Sequence, residues 1–207
     1  MSRRPVGLWL ALALLTASCA SVTTAERSFG GPDEQDAPRG PRSQLFISPS
    51  GQPFRAPAGQ PYPAAAWFAA ADADHDGRLT RDEFRADAEA WFRTIDADAD
   101  GEVSMPEVTR WEETIVPEIT RATFGGYGGG ALRRNRLDTR AQGAAGYSVV
   151  NEPHPIRGAD ADFSMGVSRA EWRAAADRRF DLLDEDKDGA LLLAGLPRTP
   201  TQGRAAR

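Results

Sequence analysis

The sequence predicts an all-α fold of helix–loop–helix repeats arranged in two halves. The first observation behind this prediction is a repeat of acidic loops. Asp72 and Asp96 each begin one and lie 24 residues apart, and Asp160 and Asp184 do the same with the same separation. The second observation is that apolar residues recur at helical spacing beside these loops. The matching separations indicate that the two halves are a duplication.

Helices are expected directly before and after the acidic loops. Trp67 and Phe68 precede the first loop. The apolar residues that mark the helices after the first and third loops are Phe84, Ala88 and Trp91, and Trp172, Ala176, Phe180 and Leu183. Three pairs have the spacing of a capping box, in which a hydroxyl and a glutamate cap the first turn of a helix: Thr80 with Glu83, Ser104 with Glu107, and Ser168 with Glu171. Each of these loops should therefore end where a helix begins.

The oxygen-bearing side chains of the loops have the spacing that is typical of a calcium site. Calcium is a hard cation that binds roughly six to eight oxygen atoms. Residues 72–83 and 96–107 both carry aspartate at loop positions 1, 3 and 5, glycine at position 6, a hydroxyl at position 9 and glutamate at position 12. This pattern resembles the loop of the EF-hand superfamily, the calmodulin-like calcium-binding proteins, and the resemblance covers roughly residues 64–197.

The resemblance implies the calcium ligands of loop 1 (residues 72–83) and loop 2 (residues 96–107). Position 7 would bind through its backbone carbonyl, position 9 through a water molecule, and position 12 through both carboxylate oxygens. In loop 1 the implied ligands are Asp72, Asp74, Asp76, Arg78, Thr80 and Glu83. In loop 2 they are Asp96, Asp98, Asp100, Glu102, Ser104 and Glu107.

Loop 3 (residues 160–171) departs from the pattern at two positions. Its expected ligands are Asp160, Asp162, Ser164, Gly166 through its carbonyl, and Glu171. Met165 replaces the turn glycine and would be strained by a positive φ. Ser164 replaces a carboxylate, which removes one negative charge from the site. We therefore expect loop 3 to bind calcium more weakly than loops 1 and 2.

Loop 4 (residues 184–195) has a complete first half and a failed second half. Its candidate ligands are Asp184, Asp186 and Asp188. Gly195 offers no carboxylate at position 12, and Leu192 cannot hold a water molecule at position 9. Gly195 followed by Pro197 also ends any helix that leaves the loop. We expect loop 4 to have a structural role, with weak or absent calcium binding.

The lengths of the connecting helices predict which loops pair. Between Glu83 and Ile95 there is room for a single helix of about 20 Å, which separates loop 1 from loop 2. The same argument separates loop 3 from loop 4. Members of the EF-hand family pair two loops through short strands at position 8, where this chain has Leu79 and Val103. We therefore expect loop 1 to pair with loop 4, and loop 2 with loop 3, in an antiparallel arrangement.

Two other interpretations of the acidic loops stay open at this point. Aspartate and glycine are common in solvated turns that bind no metal, although two complete loops argue against this interpretation. A calcium loop of a different fold, such as a dockerin module, would keep the metal and change the architecture. The helices that enter the loops at Trp67 and Trp91 argue against that fold.

Residues 1–19 are expected to be a signal peptide. Arg3 and Arg4 precede an apolar run at residues 6–15, which is too short to span a bilayer as a helix. Cys19, the only cysteine, follows this run as in the lipobox of bacterial lipoproteins, where the cysteine is lipidated and becomes the mature N-terminus. Cleavage at a small-residue site would instead release a soluble secreted protein. Both alternatives predict export to the periplasm or the outer cell envelope.

The rest of the chain is expected to contain one folded domain. Residues 20–63 are rich in Gly, Pro, Gln and Ser and are predicted to be a flexible linker. The EF-hand domain would span residues 64–197, with a first half at 64–116, a mobile insertion at 117–157 and a second half at 158–197. Residues 198–207 are predicted to be a tail.

Composition and the remaining motifs exclude other classes of function. The net charge of −5 disfavours a nucleic-acid partner. His75 and His154 lack a partner cluster and are expected at the surface, and we find no nucleophile motif, phosphate loop or zinc spacing, so we expect no enzymatic activity.

The sequence thus predicts an exported calcium-binding protein in which calcium is mainly structural. The alternative is a calcium-responsive module of the cell envelope that exposes apolar surface to an unknown protein partner. Contact with a membrane is expected only through a lipid on Cys19, if that residue is modified.

Overall fold

The computed structural model of the protein describes residues 43–124 and 142–205. Within these residues the chain is mostly helical, as the sequence predicts. The α-helices are α1 (Ala64–Ala71), α2 (Arg81–Ile95), α3 (Met105–Arg110), α4 (Pro117–Phe124), α5 (Arg169–Leu183) and α6 (Pro200–Ala205). The strands are β1 (Gln44–Ile47), β2 (Pro53–Ala56), β3 (Leu79–Thr80), β4 (Glu102–Val103), β5 (Val167–Ser168) and β6 (Ala190–Leu191). None of the helices in this part of the chain is both long and apolar enough to cross a membrane.

The centre of the fold is an antiparallel pair formed by α2 and α5, one helix from each half. The ring centroids of Phe84 and Phe180 lie 5.5 Å apart near one end, and those of Phe92 and Trp172 lie 5.6 Å apart near the other. All four rings are buried. The Trp172 indole also donates a hydrogen bond of 2.8 Å to the Ala88 carbonyl in the middle of α2. The core therefore belongs to both halves together, and burial of these rings drives their association.

The loops pair across the two halves. Strand β3 of loop 1 pairs antiparallel with β6 of loop 4, with Leu79 opposite Leu191. Strand β4 of loop 2 pairs antiparallel with β5 of loop 3, with Val103 opposite Val167. These two strand pairs confirm the predicted pairing. Its physical cause is the 15-residue helix α2, which holds loops 1 and 2 at its opposite ends. Each loop pair thus ties the first half of the chain to the second.

A β-hairpin of β1 and β2 precedes the helices, so the linker predicted for residues 20–63 is wrong over residues 44–56. Leu45, Phe46 and Ile47 are buried, and Phe46 lies opposite Phe54 in the hairpin. The Phe46 ring centroid lies 5.5 Å from that of Trp67 in α1. The hairpin is therefore part of the hydrophobic core rather than a tether.

The hairpin is also attached by hydrogen bonds to distant parts of the chain. The Ile47 amide donates to the Tyr147 carbonyl at 3.0 Å. At the hairpin turn, Gly51 has a φ of 93°, and its carbonyl accepts a hydrogen bond of 2.9 Å from the Trp111 indole. The hairpin thus contacts segments on both sides of residues 125–141.

The mobile insertion predicted for residues 117–157 is wrong for its two described parts. Residues 117–124 form α4, and the buried side chains between residues 142 and 157 include Ala144, Ala145, Ser148, Val150 and Ile156. Arg179 of α5, which is only 3% exposed, forms an ion pair of 2.7 Å with Glu152 and donates to the Pro155 carbonyl. The glycine-rich and arginine-rich stretch at 125–141 lies outside the described residues.

The predicted tail also needs correction in its first part. Thr199 is buried, and its hydroxyl lies 2.8 Å from the Tyr62 hydroxyl. Helix α6 follows directly. The predicted signal peptide and Cys19 lie outside the described residues, as does the N-terminal part of the predicted linker.

Candidate metal centres

The four acidic loops share one backbone conformation. Position 4 has a positive φ in every loop, between 58° and 61°, at His75, Ala99, Phe163 and Lys187. Position 6 also has a positive φ in every loop, at Gly77, Gly101, Met165 and Gly189. Loops 1, 2 and 4 have glycine at position 6, which takes a positive φ most easily, whereas Met165 in loop 3 is strained at φ 71°, as the sequence predicts. Loop 3 keeps the same turn in spite of that strain.

The loops bring carboxylates together in groups of three, and the candidate ligand atoms of each group lie within 4.8 Å of one another. These groups are Asp72, Asp74 and Asp76; Asp96, Asp98 and Glu107; Asp160, Asp162 and Glu171; and Asp184, Asp186 and Asp188. Like charges repel at such distances, and a divalent cation bound by the same oxygens removes the repulsion. This donor set of hard oxygens fits calcium.

The aspartates at position 1 give the clearest sign that the loops fit a cation. Asp72, Asp96 and Asp184 are each at most 6% exposed. In each of them Oδ2 accepts a hydrogen bond from the glycine amide at position 6, at 2.9 to 3.1 Å. Their Oδ1 atoms are buried and have no hydrogen-bond partner within the described residues. A buried carboxylate oxygen without a hydrogen-bond partner is costly, so these oxygens fit the binding of a metal ion.

The glutamates at position 12 of loops 1, 2 and 3 begin the next helix. Glu83, Glu107 and Glu171 each form a capping box with the hydroxyl three residues before them. In loop 1 the Thr80 hydroxyl donates to Glu83 Oε2 at 2.7 Å, and the Ala73 amide donates to Glu83 Oε1 at 2.9 Å. Because one glutamate contacts both ends of its loop, an ion bound there also holds the start of a helix.

Hydrogen bonding keeps these glutamates charged. The hydrogen bond from the Thr80 hydroxyl, together with backbone amides, lowers the pKa of Glu83. Burial acts against the charged form of Glu107, but hydrogen bonds from Ser104 and Ala97 outweigh it and its pKa is also lowered. The hydrogen bond from Ser168 contributes most to lowering the pKa of Glu171, to about 2. The loops are therefore ready to bind cations at neutral pH.

These shifts predict how the calcium-free protein responds to acid. The Glu171 carboxylate contributes stability that is fully present above its ordinary pKa of 4.5 and is lost as the pH falls through its folded pKa of about 2. The melting temperature, followed by circular dichroism, should therefore decrease as the pH is lowered through this window. Glu171→Gln should show a smaller decrease than the unaltered protein. Identical pH profiles for the two proteins would contradict the prediction.

Loop 3 differs from the other loops at position 1. Both carboxylate oxygens of Asp160 accept backbone hydrogen bonds, from Ser164 at 3.2 Å and from Met165 at 3.1 Å. The Ser164 hydroxyl donates to the Gly166 carbonyl at 3.2 Å. An ion in loop 3 would have to compete with these bonds, in keeping with the weaker binding expected from the sequence.

Loop 4 lacks an exiting α-helix. Residues Leu193–Gly195 form a single 3₁₀ turn, and Leu192 is half exposed. A cavity of about 240 Å³ lies beside the loop and is lined by Asp184, Asp188 and Gly195, among other residues. Gly195, at position 12, lines this cavity without offering a carboxylate to it.

The remaining predicted ligands lie beside these groups. The Asp100 carboxylate accepts a hydrogen bond from the Glu102 amide at 2.8 Å, and the Ser104 hydroxyl donates to Glu107 at 2.8 Å. Arg78, Glu102 and Gly166 stand at position 7, in or next to the paired strands.

Comparison with known protein families decides the identity of the first two loops. A sequence model of the family described as EF hand matches residues 64–86 and 88–110. Residues 64–110 form an EF-hand domain. The match covers α1, EF-hand loop 1, α2, EF-hand loop 2 and α3, and these loops hold the acidic groups described above. A comparison with curated proteins found no match. Loops 3 and 4 lie outside the matched residues and share the EF-hand turn geometry and acidic groups.

His154 and Arg78 have contacts that the sequence did not predict. His154, expected at the surface, is half-buried: its Nε2 lies 2.8 Å from a Glu112 carboxylate oxygen, and its ring centroid lies 4.9 Å from that of Trp111. Burial lowers the pKa of His154. The Arg78 side chain reaches across the loop pair to Asp188 in loop 4. Both contacts join residues far apart in the sequence, so no local pattern reports them.

Proposed function

We propose that the protein is an exported, non-enzymatic calcium-binding protein in which calcium mainly holds the two halves of the fold together. The single observation that carries the proposal is the buried, unpartnered Oδ1 of Asp72 and of Asp96 in the EF-hand loops. Each loop pair bridges the two halves, at opposite ends of α2. An ion in loop 1 or loop 2 therefore stabilises a contact between the halves as well as a single loop.

The burial of the aromatic residues supports a structural role over a sensing role. A calcium sensor exposes an apolar groove when it binds the ion. Here Trp67, Trp111, Trp172 and Phe92 are fully buried, and the β1–β2 hairpin packs against the first of these. To act as a sensor, the protein would have to open this core. Large calcium-dependent binding of an apolar dye would therefore support the alternative of a calcium-responsive module with a protein partner.

Calorimetry with calcium on the full chain tests the assignment of the ion sites. Glu83→Gln and Glu107→Gln each remove the negative charge of a glutamate that ends an EF-hand loop and caps the following helix. Each variant should lose one binding step, or have its affinity reduced by at least about tenfold, because an oxygen ligand and a negative charge are weakened together. The matched control is Glu113→Gln, an exposed glutamate outside the loops, which should bind calcium as the unaltered protein does. Unchanged binding in both loop variants would refute the assignment.

Export to the cell envelope rests on the sequence of residues 1–19. Arg3, Arg4 and the apolar run at 6–15 support a signal peptide, and Cys19 supports a bacterial lipid anchor. Cell fractionation tests this part of the proposal. The full chain should be found with the membrane fraction, and Cys19→Ser should be released from it. A protein found only in the cytoplasm would refute export.

A further inference from the structure

The Arg78 side chain of loop 1 lies against the ion site of loop 4. Strands β3 and β6 pair these loops, so position 7 of loop 1 is next to the acidic half of loop 4. The Nη2 atom of Arg78 lies 2.7 Å from Asp188 Oδ2. An arginine guanidinium is always charged at neutral pH. A positive charge is thus already present at the edge of loop 4.

This contact uses the oxygen that position 5 would otherwise offer to an ion. Asp188 Oδ1 accepts a hydrogen bond from the Ala190 amide at 3.0 Å, and Oδ2 accepts from Arg78, so both oxygens have partners. In loops 1 and 2 the aspartates at position 5, Asp76 and Asp100, accept only the corresponding backbone hydrogen bond from the described residues. Loop 4 therefore differs from loops 1 and 2 because its position-5 aspartate also binds a side chain from another loop, that of Arg78.

Loop 4 nevertheless keeps other features of an ion site. Asp184 is 6% exposed, and its Oδ1 has no partner within the described residues. Its candidate ligand atom lies within 4.8 Å of those of Asp186 and Asp188. The cavity of about 240 Å³ beside Gly195 is large enough to hold water molecules, which calcium accepts as ligands in place of a carboxylate.

We propose that the Arg78 guanidinium is the resident cation of loop 4, and that loop 4 is a latent divalent-cation site which Arg78 keeps from filling. This inference rests on the proposed function, in which loops 1 and 2 bind calcium. The ion pair is partly exposed, with side-chain exposures of 44% for Arg78 and 42% for Asp188, so it is weak and can open. While the pair is closed the guanidinium occupies Asp188 Oδ2, and whether it is closed or open its positive charge repels an incoming divalent ion.

The size of the expected effect follows from Coulomb's law. A single positive charge about 5 Å from a divalent ion at a water-exposed site weakens its binding by about tenfold. Arg78→Gln removes this charge and keeps a side chain of similar polarity. The calcium concentration that fills loop 4 should therefore fall by at least about tenfold in the variant.

Glu102 provides a comparison of opposite charge at the equivalent position. It stands at position 7 of loop 2, which pairs with loop 3, and its carboxylate lies over Gly166, where a Cβ atom would overlap Oε1. Glu102 therefore adds negative charge beside loop 3, which lacks the carboxylate at position 5. Glu102→Gln should raise the calcium concentration that fills loop 3 by about tenfold, the opposite direction to Arg78→Gln.

Nuclear magnetic resonance of the full chain reports on each loop separately. The amides of Gly77, Gly101, Met165 and Gly189 each donate to the position-1 aspartate of their own loop, so their resonances should shift when that aspartate binds an ion. The Gly189 amide should respond at a calcium concentration at least about tenfold lower in Arg78→Gln than in the unaltered protein. The control is Arg85→Gln, which breaks an ion pair of 2.6 Å with Asp177 between the halves and one of 3.1 Å with Asp82, but leaves the carboxylates of loop 4 untouched.

The outcomes separate this inference from the proposed function. If Gly77 and Gly101 respond to calcium while Gly189 responds at the same concentration with and without Arg78, the role of Arg78 is refuted and the proposed function stands. A change of Gly189 in Arg85→Gln as large as in Arg78→Gln also refutes it, because loosening of the two halves would then be the cause. If Gly77 and Gly101 do not respond in the unaltered protein, the proposed function and this inference both fail.

Discussion

Removal of calcium is expected to lower the melting temperature of the protein by about 20 °C. An ion present at about a thousand times its dissociation constant stabilises the folded state by about 4 kcal/mol per site, so two EF-hand sites contribute about 8 kcal/mol. For a folded unit of this size each kcal/mol shifts the melting temperature by about 3 °C. The physical reason lies in the buried Oδ1 atoms of Asp72 and Asp96, which lose their cation while staying desolvated.

Thermal unfolding followed by circular dichroism, in excess calcium and in excess chelator, measures this effect. The control is the double variant Glu83→Gln and Glu107→Gln. A roughly tenfold weaker affinity at each site should remove about a third of the difference between the two conditions, and loss of both binding steps should remove all of it. If the unaltered protein melts at the same temperature in both conditions, calcium does not hold the halves together.

The arrangement of the loops could be predicted because it follows from local residue patterns and from the length of helix α2. Aspartates and glycines at fixed positions define each loop, and the capping boxes at Thr80, Ser104 and Ser168 fix where helices begin. The single helix between loops 1 and 2 then allows pairing only with the other half of the chain. Each step depends on residues close together in the sequence, and the structure confirms the predicted pairing.

The β1–β2 hairpin could not be predicted in the same way. Each strand has only four residues, and the surrounding glycines and prolines are equally typical of a linker. What holds the hairpin is its contact with Trp67, Trp111 and Tyr147, which are 21, 65 and 101 residues from Phe46. The apolar run of Leu45, Phe46 and Ile47 was the available signal, but a run of three does not distinguish a strand from a linker.

Side-chain contacts between distant segments were also beyond prediction from one sequence. Arg78 contacts Asp188 because loops 1 and 4 pair, and Arg179 contacts Glu152 because residues 142–157 pack against α5. In the sequence, Arg78 was notable only for its backbone carbonyl at position 7. Its side chain became significant once loop 4 was placed beside loop 1.

Phe46→Ala is expected to destabilise the calcium-loaded protein by about 3 to 5 kcal/mol. Truncation of a fully buried phenylalanine costs about this much, because apolar contacts are lost and a cavity remains. Phe46 has no exposed surface, and its ring centroid lies between 5.5 and 6.4 Å from those of Trp67, Tyr62 and Phe54. Since Trp67 belongs to α1, the helix that enters loop 1, the lost packing also destabilises the first EF-hand. Urea unfolding in saturating calcium measures the change in free energy.

The matched control for this substitution is Phe163→Ala. Phe163 is 86% exposed in loop 3, so its truncation should change the free energy of unfolding by less than about 0.5 kcal/mol. The comparison separates burial in the core from the chemistry of the substitution itself. If Phe46→Ala cost no more than Phe163→Ala, the hairpin would be a detachable segment, and the folded unit would begin at α1 as the sequence alone suggests. A cost of several kcal/mol would show that the calcium-binding halves fold together with the hairpin.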